Sequence, residues 1–248
     1  MHAAIASFVS HAPGLNGFTP FKRFLQTSMR PYRATRTGKI YLGNGQPAIV
    51  CPTFRKGPEH TAVFRSTLQE AGFSAYDWGL GFDMGPGSIR LSSCLRRLEE
   101  RVIDVVEAEG QPVTLVGWGL SGIYARELGK RVSPLIRQVI TLGTPFNLAA
   151  DPTRSCIMLR ALDGDSSRLE HTVRERLRQR PPVPCTSIFS RNDDIVPWEL
   201  SVEPESLNSE NIGVAGTKHG DLISHPRVLE IVTHRLSQPD HTWRAYSS

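Results

Sequence analysis

Three side chains that could cooperate in nucleophilic catalysis occur in the order serine, aspartate, histidine. Ser121 follows a glycine-containing segment, Asp193 follows an apolar segment, and His219 lies between Gly216 and Gly220. A serine hydroxyl becomes an effective nucleophile when a histidine accepts its proton and a carboxylate orients that histidine. The three residues therefore predict a nucleophile, an acid and a base, provided that the fold brings them together.

Alternating strands and helices are predicted to position these side chains. The predicted strands are Ala48–Cys51, Ser74–Trp78, Val113–Gly117, Gln138–Leu142, Cys185–Phe189 and Ile212–Ala215, and the predicted helices cover about 61–71, 88–109, 122–132 and 226–236. The segment Val113–Gly117 is apolar on both faces, which is typical of a central parallel strand. The alternation predicts a single α/β domain with a mostly parallel central sheet flanked by helices.

The turn after Val113–Gly117 is the most informative motif. It reads VGWGLSG over Val116–Gly122 and leads into a predicted helix. A sharp strand-to-helix turn can hold a side chain above the sheet, beside a helix N-terminus that stabilises developing negative charge. Glycines allow the backbone to turn this tightly. The motif therefore predicts a reaction centre at this turn.

Three further segments follow this turn along the chain. They are Thr141–Phe146 (TLGTPF), Ser190–Trp198 (SRNDDIVPW) and His219–Leu222 (HGDL). Together with the turn, they resemble the α/β-hydrolase family, and specifically its bacterial lipase and esterase-like members. The resemblance covers residues 45–237 and implies the α/β-hydrolase fold.

The resemblance leaves two registers open for the nucleophile. Alignment by the strand end and the helix start puts Gly119 where the family has its serine, and Ser121 then packs against the strand or caps the helix. In the second register the segment Gly119–Ile123 (GLSGI) satisfies G-x-S-x-G except for its last residue, and Ser121 is a nucleophile displaced by two residues. The predicted site uses Ser121, because an acid and a histidine follow at the expected places.

The remaining site residues are implied by the same resemblance. Asp193 is favoured over Asp194 as the acid, because the family usually has glycine at the second position, and His219 is the implied base. The implied oxyanion donors are the N–H of Phe54, in the loop after the first strand, and the N–H of Leu120, or of Gly122 in the second register. Thr53 stands in that loop where the family has glycine.

The domain boundaries are predicted from composition and from the rhythm of elements. Residues 1–44 form a basic, acid-free arm, residues 45–240 the α/β-hydrolase domain, and residues 241–248 a C-terminal tail. Residues 148–183 interrupt the alternation with two predicted helices. We expect this insertion to be a short helical lid, with a packing elaboration as the alternative.

The net charge of +5 is unevenly distributed. No acidic residue precedes Glu59, so residues 1–58 carry +8 and the remainder −3. This asymmetry excludes a uniformly basic nucleic-acid-binding domain. It leaves the arm as a candidate contact with a membrane surface or a partner.

The sequence contains no motif for a cofactor or a metal ion and no candidate membrane span. No apolar run approaches the ~18 residues of a membrane span, and there is no P-loop or dinucleotide fingerprint. The start is a poor secretory signal. The cysteines at 51, 94, 156 and 185 lack metal-ligand spacing, so we expect buried free thiols in a reducing, cytoplasmic compartment.

Three functions from different classes follow from these observations. The first is a carboxylic ester hydrolase of the esterase or lipase type that acts through Ser121, Asp193 and His219. The second is a non-catalytic hydrolase-fold protein that has lost its nucleophile and binds a small apolar ligand or a partner. The third is an adaptor that uses the basic arm. The first is favoured, because a binding protein has no chemical need for the acid and the histidine.

Overall fold

The computed structural model describes residues 39–53, 56–81, 91–147, 176–239 and 242–246. The predictions made for most of the basic arm, for Phe54 and for residues 148–175 of the insertion lie outside the described residues.

Six strands form one parallel sheet. They are β1 (Pro47–Cys51), β2 (Ser74–Asp77), β3 (Val113–Trp118), β4 (Ile136–Leu142), β5 (Cys185–Phe189) and β6 (Ser209–Gly213). Their order across the sheet is β2-β1-β3-β4-β5-β6, and each neighbouring pair is parallel. Because parallel strands end at the same edge, the loops after β1, β3, β4, β5 and β6 meet there.

In the part of the chain that the structure describes, four α-helices cover the two faces of this sheet. They are α1 (Ala62–Glu70), α2 (Leu91–Glu109), α3 (Ser121–Arg131) and α4 (Pro226–Ser237). One apolar core contains buried side chains of α2 and α3, and the other contains those of α1 and α4. Strand β3 contributes Leu115 to the first core and Val116 to the second. β3 is therefore apolar on both faces because each face packs against one of the two cores, as expected for a central strand.

The predicted architecture, a mostly parallel central sheet flanked by helices, is confirmed. The predicted strand Ile212–Ala215 is wrong in its bounds, because β6 runs over Ser209–Gly213. The first half of β6 is polar yet buried. The carboxylate of Glu210 accepts the hydroxyl of Thr186 and forms an ion pair with Arg235. A rule based on apolar runs misses a strand whose polar side chains find partners only in the folded chain.

Within the described ranges, no helix combines the length and the apolar character needed to cross a membrane.

Candidate active site

Gly119 occupies the sharp turn between β3 and α3. Its φ is +63°, a left-handed conformation that side chains with a Cβ rarely adopt. The Gly119 N–H donates to the carbonyl of Leu142 at the end of β4 over 2.8 Å, and the Gly119 carbonyl accepts from the N–H of Gly122 over 3.1 Å. Gly119 is therefore the residue at which the chain turns from β3 into α3.

Ser121 is the first residue of α3, and its hydroxyl bonds to the backbone. Its Oγ lies 2.9 Å from the carbonyl oxygen of Trp118 and 3.1 Å from that of Cys51, and it accepts the N–H of Trp118 over 3.2 Å. The side chain is 2% exposed. In the described part of the chain these backbone atoms are its hydrogen-bond partners, so the structure does not bring Ser121 together with His219. Because β3 ends at Trp118, Ser121 lies in the first turn of α3.

His219 and Asp193 form a buried pair. The His219 Nδ1 lies 2.8 Å from Asp193 Oδ2, and both side chains are almost fully buried. The other carboxylate oxygen, Oδ1, accepts the N–H groups of Ile195 and Val196 over 2.9 and 2.7 Å. With its Nδ1–H donated to this carboxylate, a neutral His219 presents a lone pair on Nε2.

Asp194 has a different structural role from its neighbour. Its Oδ1 accepts the backbone N–H of His219 over 3.2 Å and so holds the histidine loop rather than the imidazole ring. Of the two aspartates between which the sequence left a choice, Asp193 is the one whose carboxylate contacts the imidazole ring.

Two neighbours shape the space around this pair. Trp118 donates its Nε1–H to the His219 carbonyl over 3.1 Å, and the two rings lie 6.0 Å apart at an angle of 25°. The second neighbour is Gly143, which has a φ of +53°. A Cβ at that position would lie 2.8 Å from Asp193 Oδ2 and 3.1 Å from His219 Nδ1. Gly143 therefore leaves room for the hydrogen bond between the acid and the histidine.

The His219 Nε2, the ring nitrogen that does not contact Asp193, faces Gly119 and Thr53. A Cβ built on Gly119 would lie 3.0 Å from His219 Nε2, which is where the side chain of an elbow nucleophile would project. It would also lie closer than 3.0 Å to Thr53 Oγ1. That hydroxyl is itself 3.4 Å from Nε2. Sequence reasoning did not assign Thr53 a role, although a threonine in place of the family's glycine was the signal that could have found it.

The predicted oxyanion donors have different outcomes. Among the described residues, the turn and loop hydrogen bonds include no acceptor for the N–H of Leu120, so Leu120 stays a predicted oxyanion donor. The N–H of Gly122 donates to the Gly119 carbonyl over 3.1 Å. Phe54 lies outside the described residues.

Within the described residues, no group of three or more His, Cys, Asp or Glu side chains could hold a metal ion.

Comparisons with known proteins identify solved structures with a similar fold. No protein-family model and no curated protein matches the sequence. Among solved structures, the mature Bacillus licheniformis lipase BlEst2 is similar with a TM-score of 0.60 at 12% identity, over 81% of this chain and 96% of that one. Est1E from Butyrivibrio proteoclasticus is similar with a TM-score of 0.57 at 18% identity, over 78% and 86%.

A third similar structure comes from a description of LipS and LipT, two metagenome-derived lipolytic enzymes. Its TM-score is 0.58 at 12% identity, over 80% of this chain and 94% of that one. At such identities the likeness defines the fold. The chain has the α/β-hydrolase fold, in the architecture that lipases and esterases share.

Proposed function

We propose that this protein is an acyl hydrolase that acts on carboxylic esters with His219 as its general base. The observation that carries the proposal is the buried Asp193–His219 pair, in which the second ring nitrogen of His219, Nε2, faces the turn at Gly119. Burying a carboxylate is costly unless its oxygens are hydrogen-bonded, and here both oxygens have partners. A site that only binds an apolar ligand has no use for such a pair.

The proposed reaction uses three groups around one ester carbonyl. His219 Nε2 accepts the proton of the attacking hydroxyl as the new C–O bond forms, and the N–H of Leu120 donates to the oxyanion. The protonated His219 then gives its proton to the leaving alcohol oxygen as the ester C–O bond breaks. If the attacking hydroxyl belongs to a side chain, water then attacks the resulting acyl ester by the same route and breaks its C–O bond. If it belongs to water, the acid is released directly. The net products in both cases are a carboxylic acid and an alcohol.

Ser121 has no part in this proposal. The reaction needs a hydroxyl that can approach both His219 Nε2 and a substrate, whereas the Ser121 hydroxyl is buried and bonded to the backbone. The esterase or lipase class suggested by the sequence is kept, and the displaced serine is not.

The test is hydrolysis of p-nitrophenyl esters of short and medium chain length by wild type, His219→Ala and Asp193→Asn. We expect both variants to lose about 100-fold or more in kcat/KM, because general-base catalysis contributes about 10²–10⁴-fold. His60→Ala is the control, because His60 is a half-exposed histidine that pairs with Glu59. Equal rates for wild type and His219→Ala would refute the proposal.

A second candidate function is ligand binding without turnover, and Gly119 favours it. The elbow position carries no side chain, and loss of an elbow nucleophile costs on the order of 10⁶-fold in kcat. On this alternative, wild type hydrolyses none of the esters above the uncatalysed rate. Binding of non-hydrolysable ketone analogues, measured by calorimetry, would then remain and would be unchanged in His219→Ala.

A further inference from the structure

We infer that Thr53 is the nucleophile that His219 activates, the attacking hydroxyl having moved from the elbow to the loop after β1. The inference rests on the proposed function. It concerns the one chemical role that the Asp193–His219 pair leaves unfilled, since Gly119 has no hydroxyl and that of Ser121 bonds to the backbone.

The first argument is the position of the Thr53 hydroxyl. Its Oγ1 lies 3.4 Å from His219 Nε2, on the side of the ring opposite the Asp193 carboxylate. Nucleophile–base distances of this kind are often loose before a substrate binds and tighten in the complex. Among the described residues, no other hydroxyl lies within hydrogen-bond distance of Nε2. The order hydroxyl, imidazole, carboxylate is the arrangement that activates a nucleophile.

The second argument is complementarity between Thr53 and Gly119. A Cβ on Gly119 would come closer than 3.0 Å to Thr53 Oγ1, so the threonine hydroxyl fills the volume that an elbow side chain would need. A side chain at position 119 and the Thr53 hydroxyl would therefore compete for the same space. Thr53 needs glycine at the elbow, and an elbow serine needs a smaller residue at position 53.

The third argument is that Thr53 is both held and accessible. The N–H of Lys56 donates to the Thr53 carbonyl over 3.1 Å. Two residues earlier, the carbonyl of Cys51 accepts the Ser121 hydroxyl, which ties the end of β1 to the start of α3. The Thr53 side chain is partly exposed, whereas Ser121 is buried. Ser121 therefore helps to position the loop that carries the hydroxyl.

The step balances without any further reactant. Thr53 Oγ1 attacks the ester carbonyl carbon while its proton passes to His219 Nε2. The tetrahedral oxyanion collapses, the ester C–O bond breaks, and the alcohol leaves with that proton. A water molecule then attacks the Thr53 acyl ester by the same route and releases the acid and the Thr53 hydroxyl.

The experiment measures covalent labelling by a fluorophosphonate, which needs no knowledge of the natural substrate. Attack by Thr53 Oγ1 on phosphorus breaks the P–F bond, fluoride leaves, and the proton passes to His219. We expect one adduct per chain, mapped to Thr53 by peptide mass spectrometry. Thr53→Val keeps the shape but not the hydroxyl, and should label about 100-fold more slowly or not at all.

Matched variants separate a nucleophile from a packing role. Thr53→Ser keeps the hydroxyl and should keep labelling, whereas His219→Ala should lose it. Thr67→Val is the control, since Thr67 lies in α1 and bonds the Val63 carbonyl. An adduct on Ser121, unchanged labelling in Thr53→Val, or an unlabelled wild type would each overturn the inference.

A double variant tests the exclusion between the two positions. Gly119→Ser alone would bring its Cβ against Thr53 Oγ1, so it should gain no adduct at position 119. Thr53→Gly combined with Gly119→Ser removes the obstruction and should move the adduct to position 119. An adduct at position 119 in the single variant would show that Thr53 does not block the elbow, against the inference.

The failures of the two proposals are distinguishable. Ester hydrolysis that needs His219 but survives Thr53→Val would keep the proposed function and remove the nucleophile, leaving water as the attacking group. Phosphonate labelling at Thr53 without any ester turnover would keep the nucleophile and remove the ester hydrolase.

Discussion

The Ser121 side chain joins the ends of two strands to the start of α3. Its hydroxyl bonds the carbonyls of Cys51 and Trp118 and accepts the N–H of Trp118. In the sequence the same residue matches most of a nucleophile motif. The motif depends on one residue type at one spacing, whereas the role depends on where β3 ends and which atoms lie within 3 to 3.5 Å.

Removal of this hydroxyl should cost stability. We expect Ser121→Ala to lower the free energy of unfolding by about 1–3 kcal/mol, because buried backbone groups lose their partner. Ser201→Ala is the matched control, since Ser201 is equally buried and, among the described residues, its Oγ has no hydrogen-bond partner. Urea unfolding of both variants measures the difference. Equal losses would contradict a role of the Ser121 hydroxyl in holding the turn.

At the scale of elements, α3 lies unusually close to the sheet. A Cβ on Gly117 in β3 would come closer than 3.0 Å to Gly122 Cα in α3, and a Cβ on Gly122 would come closer than 3.0 Å to Thr144 Oγ1. Glycine at these two positions lets the first turn of the helix rest on the ends of β3 and β4. This close approach sets the position of Gly119 and of the Leu120 N–H.

Gly122→Ala should therefore destabilise the protein although alanine favours helices. The gain in helix propensity is about 1 kcal/mol, whereas overpacking costs about 1–3 kcal/mol or more. The new methyl group would lie closer than 3.0 Å to Oγ1, Cγ2 and Cβ of Thr144, so rotation of that side chain cannot relieve the contact and the cost is at the upper end of the range. The net effect is a loss of stability. Gly220→Ala is the control, because a Cβ there meets nothing within 4 Å. A thermal midpoint for Gly122→Ala equal to that of wild type would contradict the close approach.

Charged residues of α3 also depend on partners from other elements. Arg126 is buried, makes two hydrogen bonds of 2.9 and 3.0 Å to the Glu203 carboxylate, and lies 3.8 Å above the Phe146 ring. Glu127 is buried beside Arg176 at 3.2 Å. Helical periodicity alone assigns such residues to a solvated face. Their burial is tolerated because the folded chain supplies opposite charges and hydrogen bonds.

At the scale of the whole molecule, the three described cysteines belong to one apolar core. Cys51, Cys94 and Cys185 are free, buried and part of the cluster that contains α2 and α3. Burial raises the pKa of the Cys94 and Cys185 thiols to about 12 and also raises that of Cys51. The reactive thiolate form is therefore rare in the folded state.

These thiols should report on opening of the core. In Cys156→Ser, which leaves only these three cysteines, we expect almost no reaction with a disulfide reagent at about pH 8, near the ordinary thiol pKa. All three thiols should react in concentrated guanidinium chloride. Stopped-flow absorbance measures both rates. Rapid reaction of one or more thiols without denaturant would show that the core opens locally.

The sequence by itself determined the elements and their order. Each buried strand and helix carries an apolar pattern that its own residues specify, so the predicted bounds of β1, β3, β5 and α4 agree with the structure to within one residue. The polar strand β6 is the exception, since Glu210 and Arg235 neutralise each other only after folding. The positions of Asp193 and His219 after consecutive strands also followed from local sequence.

Only the tertiary structure decided which hydroxyl lies beside His219. Ser121 and Thr53 are both plausible from residue type, and they stand 68 positions apart in the chain. The choice depends on the 3.4 Å between Thr53 Oγ1 and His219 Nε2 and on the backbone bonds of Ser121. Distances of this size arise from the packing of β1, β3 and α3 against one another, and no local pattern encodes them.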